Sequence, residues 1–521
     1  MLKSEKFKVP ESSDHSEILN AIPENLKLQF EAPFKETVTY YDTFDWLLET
    51  KGLRLSAQKN IYSILKPGQN SKSEVSWRAQ KPPAFWQDFP EGPAQNAVRQ
   101  SLDIRAVYKQ AALVRNVHPA RLLNADEKTV LRLKLEEIKV IAGRKHLPVT
   151  RTFRVTPIRG YPKPAAQIRA IFRQFGLKPL KEDAYLAALA LLDKKPGEYT
   201  SKVSVQLSPE MTGAEAMQRL VYYLIDVMQQ NEQGLISDID TEFLHDFRVS
   251  IRRIRSGLAL IKGVFTPETT QRLKTDFAYL GKSTNRLRDL DVYLLAEEEY
   301  KSMLPPAMGE GLDPLFDALK EEREIELKRL IRTLRSKRYQ SILATARESI
   351  RENAEKSHPA APNADKPVTL LAKRFIRKRY HVVLKKGGAI DDETPDQALH
   401  DLRIDCKKLR YLLEFFTSLF PKKQMILFVK QLKVLQDNLG DFNDLFVQQE
   451  ELKRFMTEIA PKSKNPEALS AALGGLITLL HRRQGEVRHE FSQRFSTFTS
   501  AENAARFENL FGKKKTRRNR T

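Results

Sequence analysis

Residues 244–265 read LHDFRVSIRRIRSGLALIKGVF. Phe247, Ile251, Ile254 and Leu258 recur at helical spacing, and no Pro interrupts the stretch. At about 100° per residue, His245, Arg248, Arg252 and Arg255 share an arc of about 80° beside that apolar face. The stretch is therefore expected to form a helix with one apolar stripe and one cationic stripe. Like charges at i, i+4 and i, i+7 weaken an isolated helix. The cationic stripe adds nothing structural unless it has a partner, inside the protein or outside it.

The pattern returns at residues 399–420, LHDLRIDCKKLRYLLEFFTSLF. His400 falls on His245, Asp401 on Asp246 and Arg403 on Arg248. Lys407 and Lys408 fall on Arg252 and Arg253, and Arg410 falls on Arg255. The second stripe, His400, Arg403, Lys407 and Arg410, spans the same arc of about 80°. Downstream, YLGKSTNRLRDLDV (279–292) resembles QLKVLQDNLGDFND (431–444). A repeat of this kind in a long helical region predicts two related halves, each a helical bundle, packed about a pseudo-two-fold axis.

The internal candidates to pin the arginines are Asp289, Asp441 and, locally, Glu414. The best external match is phosphate. The Arg fork binds phosphate oxygens bidentately, and a His beside phosphates favours its charged form. A solvated cationic face with surface salt bridges is the alternative. Two matching stripes, each opened by a His, weigh against it.

The rest of the chain fits a basic, multidomain protein. With 521 residues, it exceeds what one core serves, and roughly two to four domains are expected. The net charge of +22 points to a polyanionic partner. Cys406 is the single cysteine, which excludes an intrachain disulfide and zinc sites built on paired cysteines. The N-terminal MLKSEKFKVPESSDHSEI lacks an apolar leader segment, and no run reaches the roughly 20 apolar residues of a membrane span. A reducing cytoplasm is the expected compartment, without membrane insertion.

Texture divides the chain near residue 200. The first part alternates as half-buried strands do, in ETVTYYDT, IYSIL, SEVSWRAQ, TVLRLKLEEIKVIAG and TRTFRVTPIRG. This reads as an α+β domain with an antiparallel sheet over 1–200. Helical periodicity governs 205–512, with halves at about 205–355 and 366–512. Its breaks lie at 304–314, 357–367, 385–395 and 461–466, where Pro and Gly cluster. The charged tail 513–521 is expected to be disordered.

HDFRVSIRRIRSGL with LRDLDV, and HDLRIDCKKLRYLLEFF with LQDNLGDFND, resemble the CHAD family over roughly 205–512. The resemblance implies an all-α domain of two pseudo-symmetric four-helix bundles. It also implies a basic groove that binds inorganic polyphosphate; a polyphosphate binder located on polyphosphate granules is the function expected here. Carried onto this sequence, the groove residues are His245, Arg248, Arg252, Arg255, His400, Arg403, Lys407 and Arg410. Arg253 and Lys408 lie about 100° from the middle of each stripe and are secondary candidates. Arg288 and Lys433, on the helices after the two motifs, and Arg335 and Arg377, in the Arg-rich segments 328–338 and 374–381, complete the candidate set.

In the first 200 residues, YYDTFDWLLETKGLRL resembles a segment of the CYTH family, whose active members hydrolyse triphosphate with metal ions in a β-tunnel. The chain departs from that pattern at its chemical positions. Only Glu5 is acidic near the start, Ser56 and Gln58 stand where arginines belong, and Gln80 replaces a Lys. Arg154 and Thr156 occupy the late acidic positions. Two-metal phosphoryl chemistry needs clustered carboxylates, so no catalytic residue, metal site or cofactor is expected. Glu136 and Glu137 read as solvated strand residues. A nucleic-acid binder and a CYTH-type triphosphatase are the alternatives to a polyphosphate binder. Single-strand binders interleave aromatics with basic residues for base stacking, and here only Tyr411 lies near a stripe.

Overall fold

The alternating stretch TVLRLKLEEIKVIA forms one strand of a ten-stranded sheet whose pairings are antiparallel. The computed structural model describes residues 4–10, 14–66, 75–180, 182–356 and 358–512. The basic tail 513–521 lies outside them. Two units are distinguished, Met1–Thr200 and Ser201–Thr521.

The first unit runs β1 (Glu5–Lys8), α1 (His15–Asn20), β2 (Lys27–Phe30), β3 (Phe34–Asp42), α2 (Leu47–Thr50), β4 (Arg54–Gln58), β5 (Ile61–Leu65) and β6 (Val75–Arg78). It continues with α3 (Pro93–Leu102), β7 (Tyr108–Leu123), β8 (Thr129–Ala142), β9 (Lys145–Pro157), α4 (Pro162–Gln174), β10 (Lys178–Pro179) and α5 (Ala184–Leu191). The strand order is β10-β1-β9-β8-β7-β3-β4-β5-β6, with β2 also paired to β7. One sheet face buries Leu131, Leu133, Leu135 and Phe153 against Ile168 and Phe172 of α4. The other buries Leu113, Ile138 and Val140 against Tyr185 and Leu189 of α5.

Sequence reasoning missed β7, which carries Pro119 inside an interior strand. Pro cannot donate to a ladder. Here β3 pairs with β7 up to Val117, and β2 takes over from Ala120. Pro119 therefore sits where one partner strand gives way to the next.

Glu136 is not solvated, contrary to the sequence expectation; it is 1% exposed. Because β8 lies between β7 and β9, cations from neighbouring strands converge on it. Arg154 Nε donates to Glu136 Oε1 at 2.8 Å, Arg115 Nη2 lies 3.3 Å away and Lys6 Nζ 3.9 Å away. Burial opposes the ionised form, but Arg154, Arg115 and Lys6 outweigh it and hold this carboxyl below the usual range. Glu137 points the other way along the pleat and pairs with Arg151 at 3.2 Å.

The second unit is helical. Its first half has α6 (Gly213–Ile236), α7 (Thr241–Leu260), α8 (Pro267–Ser283), α9 (Asn285–Leu295), α10 (Glu297–Ser302), α11 (Pro306–Glu310), α12 (Asp313–Leu334) and α13 (Lys337–Glu355). Its second half has α14 (Val368–Gly387), α15 (Asp396–Phe415), α16 (Lys422–Glu458), α17 (Pro466–Phe498) and α18 (Ala501–Phe511). The repeated stretches are α7 and α15. Phe247, Ile251, Ile254 and Leu258 are buried on α7, and Leu402, Cys406, Leu409 and Leu413 on α15. A shared core joins Leu290, Leu315 and Phe316 of the first half to Leu452, Phe455 and Leu476 of the second.

The halves also meet at the start of α6. The Gly213 amide donates to the Lys366 carbonyl and the Ala214 amide to the Ala364 carbonyl, each at 2.9 Å. A methyl on Gly213 would sit 2.5 Å from the Asn363 carbonyl oxygen and 2.6 Å from Leu371 Cδ1. Backbone cannot yield as a side chain can, so Gly213→Ala is expected to cost about 1–3 kcal/mol. Thermal unfolding should show a fall of several degrees in Tm, and an unchanged Tm would mean that this approach is loose.

Candidate functional site

Asp240 starts α7 by accepting hydrogen bonds from the Glu242 and Phe243 amides. From that cap the helix projects its cationic stripe beside α15. The two helices approach closely. A Cβ on Gly257 would stand 3.7 Å from the Phe415 ring, and Arg253 Nη2 bonds Glu414 Oε2 at 3.1 Å across the gap.

A cavity of about 510 Å³ opens between α7, α15 and α16. Of the candidate residues, His245, Arg252, Arg253, Arg403, Lys407 and Arg410 line it. A second cavity of about 610 Å³ shares Arg252 with the first and adds Arg255, Lys408 and Lys274. Among the described residues, no carboxylate lines this second cavity. Lys274 of α8 belongs to neither repeat and no stripe in the sequence marks it.

The cations differ in what holds them. Arg253 is buried, with Nη1 on the Ser201 carbonyl at 2.5 Å and Nη2 on Glu414, so it ties the helices together. Arg410 Nε donates to the same Glu414 at 2.7 Å. Arg403 Nη2 donates to Asp444 Oδ1 at 2.9 Å. Lys408 shares the buried Asp405 with Arg379 and Lys386, at 3.4, 2.6 and 2.8 Å. Arg252 and Lys407 have no hydrogen-bond or ion-pair partner among the described residues. They face each other from different repeats. Burial, then Arg403 and Arg252, push the Lys407 ammonium down to about 8, against the pull of Asp444. Of the three carboxylates expected to pin the arginines, Glu414 does so, on Arg410 and Arg253, whereas Asp289 and Asp441 make no ion pair with them among the described residues and Asp444 takes Arg403 instead.

Several candidates lie away from these cavities. Arg248 turns to the α8–α9 junction, where Nη1 bonds Thr284 Oγ1 and Asn285 Oδ1, each at 2.8 Å. Arg288 is half-buried on α9. Arg335 caps the end of α12 in the open. Arg377 is half-buried on α14, and Arg379 two residues on makes the contact with α15. Lys433 is exposed on α16. His400 leaves the repeat pattern altogether. It bonds Asn443 Oδ1 and lines a separate recess with Phe442 and Phe446.

A possible metal cluster was also missed. Glu242, His245 and Asp246 each bring one ligand atom within 4.8 Å of the others. Their i, i+3, i+4 spacing on one helix was the available signal.

The cavity has an acidic side as well. Asp437, Asp441 and Asp444 follow one another along α16 at its edge, with Gln436 beside them. Burial and the neighbouring Asp437 and Asp444 raise the Asp441 carboxyl above its usual range. Among the described residues, no helix is long and apolar enough to cross a membrane.

Residues 219–453 match the family model described as the CHAD domain. Two uncharacterized proteins of Mycobacterium tuberculosis, from strains CDC 1551 and H37Rv, are 27% identical over 234 residues, 43% of this chain and 44% of each relative. The chain thus spans under half the length of the curated relatives it matches. A solved CHAD domain from the plant Ricinus communis covers 58% of this chain and 98% of its own, at 24% identity and a TM-score of 0.49. A Hippeastrum protein described by a dominant triphosphatase activity covers 38% of this chain and 100% of its own, at 13% identity and a TM-score of 0.26.

Proposed function

Because residues 219–453 match the model of the CHAD domain, we propose that this protein binds inorganic polyphosphate, without catalysis, through the cavities lined by α7 and α15. Association with polyphosphate granules is part of this reading. The observation that carries it is the pair Arg252 and Lys407. These are cations of two different repeats, unpaired among the described residues and close enough that Arg252 helps to lower the Lys407 ammonium. Like charges held together without an ion-pair partner of their own fit a ligand that is a chain of anions. Polyphosphate supplies about one charge per unit, and Arg, Lys and His would displace its counter-ions. The cavity shared with Arg255, Lys274 and Lys408 extends the track beyond a single phosphate.

Nucleic acid is the competing polyanion. Tyr411 is the aromatic residue lining the first cavity, and the second has none. That is too little for successive bases to stack on. Competition of labelled polyphosphate with single-stranded RNA at equal charge tests the choice; displacement by RNA would reverse it. Against a triphosphatase, Glu5 is held by both Arg169 Nε and Nη2, at 2.9 and 2.8 Å, and Glu136 by its three cations. Carboxylates so occupied are poor ligands for the cations that phosphoryl transfer requires. Magnesium- or manganese-dependent release of phosphate from triphosphate, lost on mutating Glu136, would revive the enzyme.

Lys407 gives the binding a pH signature. It is charged below about 8, so polyphosphate affinity should fall as pH rises from 7 to 9. Lys407→Arg keeps its charge throughout and should flatten the profile. The expected loss in the wild type is up to about tenfold, because pH 9 lies roughly one unit above the value near 8 at which Lys407 loses its charge. Without ligand the sign is opposite. The unfolded chain holds this proton more tightly than the folded one, so stability should rise from about pH 8 toward the free lysine value. Identical binding profiles for both proteins would remove Lys407 from the site.

A further inference from the structure

We propose that the first cavity takes its phosphate chain together with a divalent cation, magnesium or calcium, held on the α16 side by Asp437 and Asp441. This rests on the polyphosphate reading and adds a metal requirement to it. Arg252, Arg403 and Lys407 line one side of the cavity, and Asp437, Asp441 and Asp444 lie along α16 on another. Asp444 is engaged by Arg403, whereas Asp437 and Asp441 have no cationic partner within ion-pair distance among the described residues. A bare phosphate chain lying against the cations would be repelled by these two carboxylates. A chain carrying divalent counter-ions would be drawn to them.

Gln436 points to the same conclusion independently. It is 8% exposed and lines this cavity, yet its amide nitrogen and oxygen both lack a hydrogen-bond partner among the described residues. An amide left so costs stability unless a ligand satisfies it. A cation-loaded phosphate offers both halves of what is missing: phosphate oxygen accepts from the amide N–H, and the cation takes the amide oxygen.

The aspartates do not converge on a cage. Their placement one helical turn apart suits a cation that keeps part of its shell on the ligand. Magnesium is commonly held by one or two carboxylates plus substrate phosphates. Ligand and cation should therefore raise each other's affinity.

The test uses the full chain and long-chain inorganic polyphosphate in a mobility-shift assay, in EDTA and in magnesium at matched ionic strength. The proteins are wild type and Asp437→Asn/Asp441→Asn. Magnesium should raise wild-type affinity about tenfold, within the usual range of coupling between two ligands. General screening by magnesium would lower it instead. The double variant should bind in EDTA at least as tightly as wild type and gain less than about twofold from magnesium. If wild type binds equally with and without magnesium, or the variant keeps the full gain, the cation bridge is overturned and polyphosphate binding stands. If wild type binds polyphosphate in neither condition, both readings fall.

Discussion

Replacing Arg252 and Lys407 together by glutamate is expected to lower polyphosphate affinity at least about a hundredfold while leaving the fold intact. Each substitution removes a charge-assisted hydrogen bond worth about 1.5–3 kcal/mol and adds a repelling carboxylate. The reason to choose these two is what they do not hold. Arg252 is exposed, and neither residue has a hydrogen-bond or ion-pair partner among the described residues. The same substitution at Arg253 would strand Glu414 and the Ser201 carbonyl. At Arg248 it would release Thr284 and Asn285. Loss of binding in those variants would confuse folding with recognition. For the double variant, a mobility shift with polyphosphate should vanish while far-ultraviolet circular dichroism stays within error and Tm does not fall. The dependence of log affinity on log salt should become shallower by about two units, one for each phosphate no longer neutralised. Retained binding with an unchanged salt slope would exclude the cavity as the site.

Phe428→Ala should cost about 3–5 kcal/mol of stability, the range for removing a fully buried aromatic side chain. Phe428 is 0% exposed. Its ring lies 5.9 Å from that of Tyr380, 6.0 Å from Phe498, 5.6 Å from Phe507 and 6.3 Å from Phe511. One side chain thereby joins α16 to α14, α17 and α18. Truncation leaves a cavity that rigid neighbouring rings cannot collapse to fill, and it removes edge and face interactions beyond the buried area. Urea denaturation followed by circular dichroism measures the loss. Phe428→Leu, which refills most of the volume, should recover more than half of it. A loss under about 1 kcal/mol for Phe428→Ala would mean the cluster repacks freely.

The stripes were legible because helical periodicity is local. Once α7 and α15 are helices, Phe247, Ile251 and Ile254 share one face and Arg252 an adjoining one. The sequence cannot say how burial will treat residues that share an arc. Arg253 looked secondary by angle, yet Glu414 from another helix draws it into the contact between halves. His245 and His400 occupy matching positions, yet one lines the cavity and the other bonds Asn443. Lys274 was invisible because nothing around it in sequence repeats. Pro119 hid β7 because its tolerance depends on where two other strands end.

Periodicity and the repeat were enough to establish two helical halves with matching cationic stripes, since both follow from the 3.6-residue turn and from similarity along the chain. Three-dimensional packing alone settled which cations are neutralised and which are left over. Glu414 holds Arg410 and Asp405 holds Lys408 within one turn, as helical spacing allows, but the bonds of Glu414 to Arg253, Asp405 to Arg379 and Asp444 to Arg403 cross between helices, which no linear pattern encodes. An ion pair depends on a few ångströms of separation, and that separation is set by the apolar faces packing together. Arg252 and Lys407 are brought side by side by the same packing.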